Sequence, residues 1–188
     1  MRYDPGIIIE TDEDVYPPSD DSILLIESFD VHAGEKVLEI GCGSGIVSIH
    51  CILNGADVTC GDVNPDAVAL TKKNLESNGV RADVLVTDVY SGIKGRFDTI
   101  VFNLPYLPVQ EEGSLALAWS GGPDGLGPLP ELIRGADEHL VPGGRVIVVV
   151  SSLMDGDRLR HLLGGLGVGV LSELPLFFET LSVLEITL

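Results

Sequence analysis

Basic residues are scarce in this chain: 11 Lys and Arg stand against 29 Asp and Glu in 188 residues, a formal net charge of −18. Lys72 and Lys73 form the only adjacent basic pair, and no basic stripe runs along any segment. A surface of this sign repels phosphate backbones, so unaided nucleic-acid binding is disfavoured. The same imbalance suits a protein kept soluble in a high-salt cytoplasm, and salt adaptation explains it better than any partner does. Cysteine is equally sparse. Cys42, Cys51 and Cys60 are odd in number and never spaced as CxxC, which argues against a disulfide framework or a Cys-rich zinc site. His32, His50, His139 and His161 show no ligand spacing, so no metal is expected. No apolar run approaches the ~20 residues that span a bilayer. Met1-Arg2-Tyr3-Asp4-Pro5 has none of the apolar character of a signal peptide, so the expectation is a cytoplasmic protein with no membrane contact.

What the chain does have is a 45% hydrophobic content and a mean hydropathy of +0.31, enough to bury a substantial core. Apolar runs alternate with helical patterns. Strands are expected at 36–40, 57–62, 82–86, 97–102 and 145–150, with helices at 46–53, 65–79, 129–140 and 155–166. Two closing strands at 168–174 and 181–188 read as an antiparallel hairpin at the sheet edge. Asn64 followed by Pro65 opens one helix and Gly79 ends it. Such alternation predicts an α/β fold with a doubly wound, mostly parallel seven-stranded sheet and an antiparallel edge hairpin. No repeat or linker divides the chain, so 1–188 is expected to be a single domain, residues 1–34 forming a cofactor-covering segment and helix ahead of a 35–188 sheet core. Within that first segment, Ser19 is a candidate N-cap with Asp20 and Asp21 in the first turn. Tyr16-Pro17-Pro18 either merely leads into this helix or folds the chain over a ligand.

The first strand ends in a glycine loop, Glu39-Ile40-Gly41-Cys42-Gly43-Ser44-Gly45. A dinucleotide fingerprint, G-x-G-x-x-G, needs its third glycine at position 46, where this chain has Ile46. The offset argues against a pyrophosphate on the helix N-terminus. S-adenosylmethionine carries no phosphate, and its loop needs glycines only for close backbone approach. Asp62 ends the second strand, where it is placed to accept both ribose hydroxyls. Asp88 follows the third strand and is placed to accept from an adenine amine, with Val89 beside the ring. Any one of these aspartates alone reads best as a solvated strand-end carboxylate; three strand-end sites in order make a nucleoside site. After the fourth strand comes Asn103-Leu104-Pro105-Tyr106, a cradle for a planar amide or amine. Without the glycine loop this would be an ordinary proline turn. Together the two read as a methyl donor beside a nitrogen acceptor.

On these residues the chain resembles the class I S-adenosylmethionine-dependent methyltransferases. Within them it resembles the HemK family, protein N5-glutamine methyltransferases, in its short archaeal and eukaryotic branch. The likeness spans roughly Val15 to Val150 and includes Val15-Tyr16-Pro17-Pro18-Ser19-Asp20-Asp21-Ser22, Asp62-Val63-Asn64-Pro65 and Trp119-Ser120-Gly121-Gly122-Pro123-Asp124-Gly125. It implies that Ser22, Glu39, Gly41, Asp62, Asp88 and Val89 hold the cofactor, with Tyr16, Pro17, Gly43, Gly45 and Val63 beside them. Asn103 would meet cofactor and substrate alike. It implies methylation of the side-chain amide of a glutamine (GGQ motif) in a translation release factor. The usual family motif is Asn-Pro-Pro-Tyr. Here Leu104 stands second, where the family's contact needs only a carbonyl.

Chemically, an amide nitrogen is a poor nucleophile because its lone pair is delocalised. Asn103 Oδ1 and the Leu104 carbonyl would accept its two N–H bonds, and Tyr106 would pack on the amide plane, with Pro105 counted in the same catalytic segment. Alignment alone supplies effective molarities up to ~10⁵–10⁸ M in ideal cases, so no strong base is required. The same cradle serves exocyclic amines of adenine or guanine in RNA or DNA, which is the runner-up substrate class. A third reading is an inactive cofactor-binding scaffold. The resemblance further implies a small zinc-binding activator protein as a heterodimer partner. Strand 82–86, expected at a sheet edge, offers backbone groups for it.

Overall fold

A computed structural model describes residues 1–111, 113 and 115–188. Helices and strands alternate in the order α1 (Asp20–Ser28), β1 (Lys36–Ile40), α2 (Ile46–Leu53), β2 (Asp57–Asp62), α3 (Pro65–Ser77), β3 (Asp83–Val86), β4 (Phe97–Phe102), α4 (Leu129–His139), β5 (Leu140–Ser151), α5 (Gly156–Leu162), β6 (Gly167–Pro175) and β7 (Thr180–Thr187). The strands form one seven-stranded sheet in the order β3-β2-β1-β4-β5-β7-β6. The first five pair in parallel, while β7 is antiparallel to both β5 and β6. The mostly parallel sheet with its edge hairpin is therefore as the alternation predicted, and β3 lies at one edge with Val86 exposed. No helix among the described residues is long and apolar enough to cross a membrane.

Strand periodicity sorts the core into two layers. Leu38, Ile40, Ile100, Phe102, Val146 and Val148 face α4, where Leu129, Leu132 and Ala136 are fully buried. Their neighbours Val37, Val101, Ile147 and Val149 face the other way, onto Leu25 and Ile26 of α1 and Val47 and Cys51 of α2. Burying each such aliphatic side chain contributes about 1.5–3 kcal/mol. All three cysteines are buried and free.

The elements differ from expectation mainly at their ends. α5 stops at Leu162 instead of 166, because Leu163 caps it ahead of Gly164 and of Gly165 at φ +90°. β5 begins at Leu140 instead of 145: Leu140 pairs with Phe97, and the register then shifts so that Arg145 meets Thr99. Pro142-Gly143-Gly144 absorbs this shift inside the strand.

Ahead of α1, the first residues lie as a strap across α2 and α3. Side-chain amides on and beside α3 bind its backbone as a neighbouring strand would. Asn78 Oδ1 accepts from Ile8 N–H (2.9 Å) and its Nδ2 donates to Ile8 O (2.7 Å). Asn74 does the same for Glu10 (2.9 and 3.1 Å), and Asn64 Nδ2 donates to Asp14 O (2.9 Å). His50, buried on α2, accepts the Asp4 N–H at Nε2 (3.0 Å) and meets Ile46 O through Nδ1 (2.7 Å). Val15 then packs on Ala67 and Leu70, which brings Tyr16 and Pro17 to the carboxyl end of the sheet.

Candidate active site

A cavity of about 420 Å³ opens at the carboxyl ends of β1, β2 and β4, the usual ligand position in a doubly wound sheet. Its floor is the glycine loop. Gly41 has φ +68°, and a Cβ there would lie 2.5 Å from the Phe102 ring, so the loop can approach β4 only as glycine. Asp62 ties the loop to β2: Oδ2 accepts from Gly43 N–H and Oδ1 from Asn64 N–H, both at 2.9 Å. Burial raises its carboxyl above the ordinary aspartate range, and these N–H groups oppose the rise. Each oxygen keeps a second lone pair for a ligand hydroxyl.

Glu39 accepts from Ser48 N–H (2.9 Å) and from the Ser48 hydroxyl, fixing α2 against β1 at the cavity wall. Burial, with Cys60 nearby, pushes this carboxyl well above its usual range. After β3, Thr87 N–H donates to Asp62 O (2.9 Å), and the chain turns through Asp88 and Val89. Val89 has φ +44°, the only non-glycine residue with positive φ among those described. A β-branched residue there stores about 1–3 kcal/mol of strain. The Thr87 hydroxyl, donating to Ser91 O at 2.7 Å, and Ser91 N–H, donating to Asp88 O at 2.9 Å, hold the turn in place. Both Asp88 and Val89 reach the cavity.

The structure divides the Asn103–Tyr106 segment. Asn103 and Pro105 line the cavity. Asn103 Oδ1 is buried and has no hydrogen-bond partner among the described residues. Such an oxygen is destabilising by about 1–3 kcal/mol unless a ligand satisfies it. Leu104 turns inward and is 1% exposed in the core layer that also holds Phe102. Tyr106 lies behind the wall, its ring against both core layers and its hydroxyl donating to Asp21 Oδ2 (3.4 Å). Burial, with Asp21 next, raises its hydroxyl pKa. Tyr106 thus braces α1 and is not among the residues that line the cavity. Gly45 is also off the wall: it caps α2 at φ +79°, against the Thr71 side chain. The other expected cofactor residues, Tyr16, Pro17, Ser22, Glu39, Gly41, Gly43, Asp62, Val63, Asp88, Val89 and Asn103, all line the cavity.

Sequence reasoning missed the cover. Leu115, Leu117, Ala118, Ser120, Gly127 and Pro128 also line the cavity. Leu107 N–H donates to Trp119 O (2.9 Å) and Gly121 N–H to Leu107 O (2.8 Å). Cβ atoms added at Gly121 or Gly127 would each fall 2.8 Å from the Pro105 carbonyl oxygen. This glycine-rich loop therefore clamps the backbone beside Asn103. The sequence marked part of this segment, Trp119 to Gly125, as a point of family likeness, but gave it no place at the cavity. Trp119 meets Tyr16 edge-on at 6.4 Å, joining cover to strap, and its Nε1 donates to Glu111 Oε2 (2.9 Å).

Among the described residues, the wall carries Asp14, Asp21, Glu39, Asp62 and Asp88, and no Lys or Arg. This suits a cationic sulfonium bearing a ribose better than it suits a phosphate group. Among the described residues, no group of three His, Cys, Asp or Glu could hold a metal ion.

The family model described as "Methyltransferase small domain" matches residues 19–168. The chain belongs to that family. It is 37% identical over 187 residues to a Methanocaldococcus jannaschii protein provisionally named a protein N5-glutamine methyltransferase, covering 96% of this chain and 95% of that one. Identity to Methyltransferase HEMK2 of Homo sapiens is 33% over 193 residues, covering 93% and 90%. Ribosomal RNA small subunit methyltransferase C of Chromohalobacter salexigens is 34% identical over 126 residues, but this chain spans only 34% of its length. Among solved structures, the E. cuniculi Mtq2–Trm112 complex, described as methylating the eRF1 termination factor, aligns with a TM-score of 0.73 at 19% identity over 93% of this chain and 98% of that one, a likeness of fold. The protein is a class I S-adenosylmethionine-dependent methyltransferase.

Proposed function

We propose that this methyltransferase modifies the side-chain amide nitrogen of a glutamine in a translation release factor. The observation that carries this reading is the unpartnered Asn103 Oδ1 on the cavity wall. A primary amide presents two N–H donors in a plane, and Asn103 Oδ1 would accept one while the Leu104 carbonyl accepts the other. Bound S-adenosylmethionine supplies an electrophilic methyl group on a sulfonium. Asp62 would hold its ribose, and Asp88 with Val89 its adenine. The cover loop, clamped on Pro105, would keep Asn103 aligned and exclude water. Tyr106 and Asp21 would hold α1 and the strap over the site. The protein specificity draws support from near full-length similarity to relatives named for glutamine methylation or as HEMK2.

The same reading includes a small activator protein on the free edge of β3. Among the described residues its four residues pair only with β2, leaving Val86 55% exposed and one line of backbone groups available. A partner is in keeping with the fold likeness to Mtq2, which was solved in complex with Trm112.

Nucleic acid is the second reading, favoured by similarity to the ribosomal RNA enzymes over part of their length. A cavity wall with five carboxylates and no cationic side chain weighs against it. The deciding experiment offers labelled S-adenosylmethionine with release factor, RNA or DNA as acceptor. Label on a release-factor glutamine is expected; label on RNA or DNA alone overturns the proposal, and no transfer to any of them would leave the inactive scaffold.

A further inference from the structure

The tip of the β6–β7 hairpin, Leu176-Phe177-Phe178-Glu179, makes no sense as part of the fold alone. Hairpin tips favour Gly, Asn and Asp, which adopt turn conformations and are solvated. Here Phe177 is 93% exposed and Phe178 84% exposed, their rings edge to face at 4.6 Å. Neither ring belongs to a core layer. In a chain kept soluble by a net charge of −18, two adjacent solvated phenyl rings are an anomaly, and exposed apolar clusters of this kind mark binding surfaces.

The tip's position narrows its use. β7 runs antiparallel to β5, and Leu181 pairs with Ser151, the last residue of β5, so the tip stands at the carboxyl end of the parallel strands, the end where the cavity opens. It is anchored there. Glu179 accepts from the Ser151 hydroxyl, Ser152 N–H donates to Thr180 O (2.9 Å), and Thr180 N–H donates to Ser152 Oγ (2.9 Å). Burial and then Asp21 raise the hydroxyl pKa values of Tyr16 and Tyr106, and the Glu179 charge adds a smaller push to each. Leu153, 41% exposed, follows β5 on the same rim. β3, by contrast, is at the opposite edge of the sheet. A partner strand on β3 and a partner at the hairpin tip would therefore not compete.

We infer that Phe177 and Phe178 form an aromatic knob that docks the protein acceptor, inserting into an apolar cleft on its folded surface while its glutamine enters the cavity. This inference rests on the protein-acceptor reading above. A glutamine side chain alone fills little of a cavity that must also hold the cofactor. Recognition of one protein among many needs contacts outside it, and aromatic side chains, Phe among them, are enriched at the cores of such contacts. The knob's occupant is a folded protein, because an acidic rim with exposed phenyl rings offers nothing to a phosphate backbone.

The test compares two acceptors in the presence of whatever activator wild type requires: full-length release factor, and a short peptide from it containing the acceptor glutamine. F177A/F178A is expected to raise KM for the folded release factor at least tenfold with little change in kcat. Turnover of the peptide, cofactor affinity by calorimetry and melting temperature should stay at wild-type values. Unchanged kinetics on the folded acceptor would overturn the inference. Equal losses on both acceptors would also overturn it, by showing a structural role. So would a concentration-dependent dimer of the wild type, by light scattering, that the double variant abolishes, because the rings would then serve self-association. The broader reading fails separately: wild type would then methylate neither release factor nor peptide.

Discussion

Replacing Asn103 by alanine should separate catalysis from cofactor binding. In the free protein Asn103 Oδ1 is buried without a partner among the described residues, so it already bears a desolvation penalty of about 1–3 kcal/mol. An acceptor amide N–H relieves that penalty on binding. As its nitrogen takes the methyl group it gains positive charge, and the hydrogen bond becomes charge-assisted. Removing one such pre-aimed group typically lowers kcat by about 10²–10³. Asn103→Ala should therefore reduce kcat by roughly that factor while S-adenosylmethionine affinity, carried by Asp62, Asp88 and the glycine loop, stays within about threefold. The stability effect has the opposite sign. Deleting an unsatisfied buried oxygen should leave the melting temperature unchanged or raise it, by about 2–4 °C per kcal/mol relieved in a protein of this size. Single-turnover transfer, isothermal calorimetry and scanning calorimetry on one preparation measure all three. A fall in cofactor affinity as large as the fall in kcat, or a melting point several degrees lower, would refute the assignment of Oδ1 to the acceptor.

Other consequences follow from the same geometry. Leu104→Pro should keep turnover within a few-fold, since the contact is made by the carbonyl, yet lower thermal stability because the leucine is fully buried; equal losses of activity in this variant and Asn103→Ala would defeat the carbonyl argument. Asp62→Ala removes charge-assisted hydrogen bonds of about 1.5–3 kcal/mol each, so calorimetry should show cofactor affinity at least tenfold weaker. The Asp62 pKa is raised by burial, and the carboxylate is the accepting form; wild-type cofactor affinity should be full near neutrality and fall on acidification at higher pH than an ordinary aspartate would give. Asp62→Asn should flatten that profile, and an unaltered profile counts against the assignment. Gly127→Ala places a methyl group 2.8 Å from the Pro105 carbonyl at φ +46°; kcat should drop about tenfold or more with cofactor affinity nearly intact. His50 is held neutral, its pKa lowered by burial, and its Nε2 accepts the Asp4 N–H. Its contribution to stability is present above the unfolded pKa of about 6.5 and lost as pH falls through the lowered folded value. Hydrogen exchange of residues 1–18 should accelerate over that window, and His50→Gln should weaken the response.

Much of this architecture is legible in the sequence because it is written locally. Strand alternation, the Asn64-Pro65 helix start and the glycine loop are short-range patterns, and each formed where those patterns put it. Most of the expected cofactor residues reach one cavity because successive parallel strands deliver their carboxyl ends to the same edge. What the sequence could not show depended on contacts between distant segments. Gly45 caps α2 off the wall, the core takes Leu104 inward, and Tyr106 reaches back toward Asp21. The asparagine side chains that pair with the strap backbone carry no sequence signature, because backbone amides are the same everywhere along a chain. Nor does the clamp of Gly121 and Gly127 on Pro105, which joins residues more than a dozen positions apart. The sequence by itself determined the sheet and put most of the expected cofactor residues, with Asn103, at strand ends that share one cavity, since these follow from periodicity and residue chemistry. The tertiary structure alone decided which side chains line the cavity, which brace it, and which, like Phe177 and Phe178, the fold leaves to water, because burial is a property of the assembled surface.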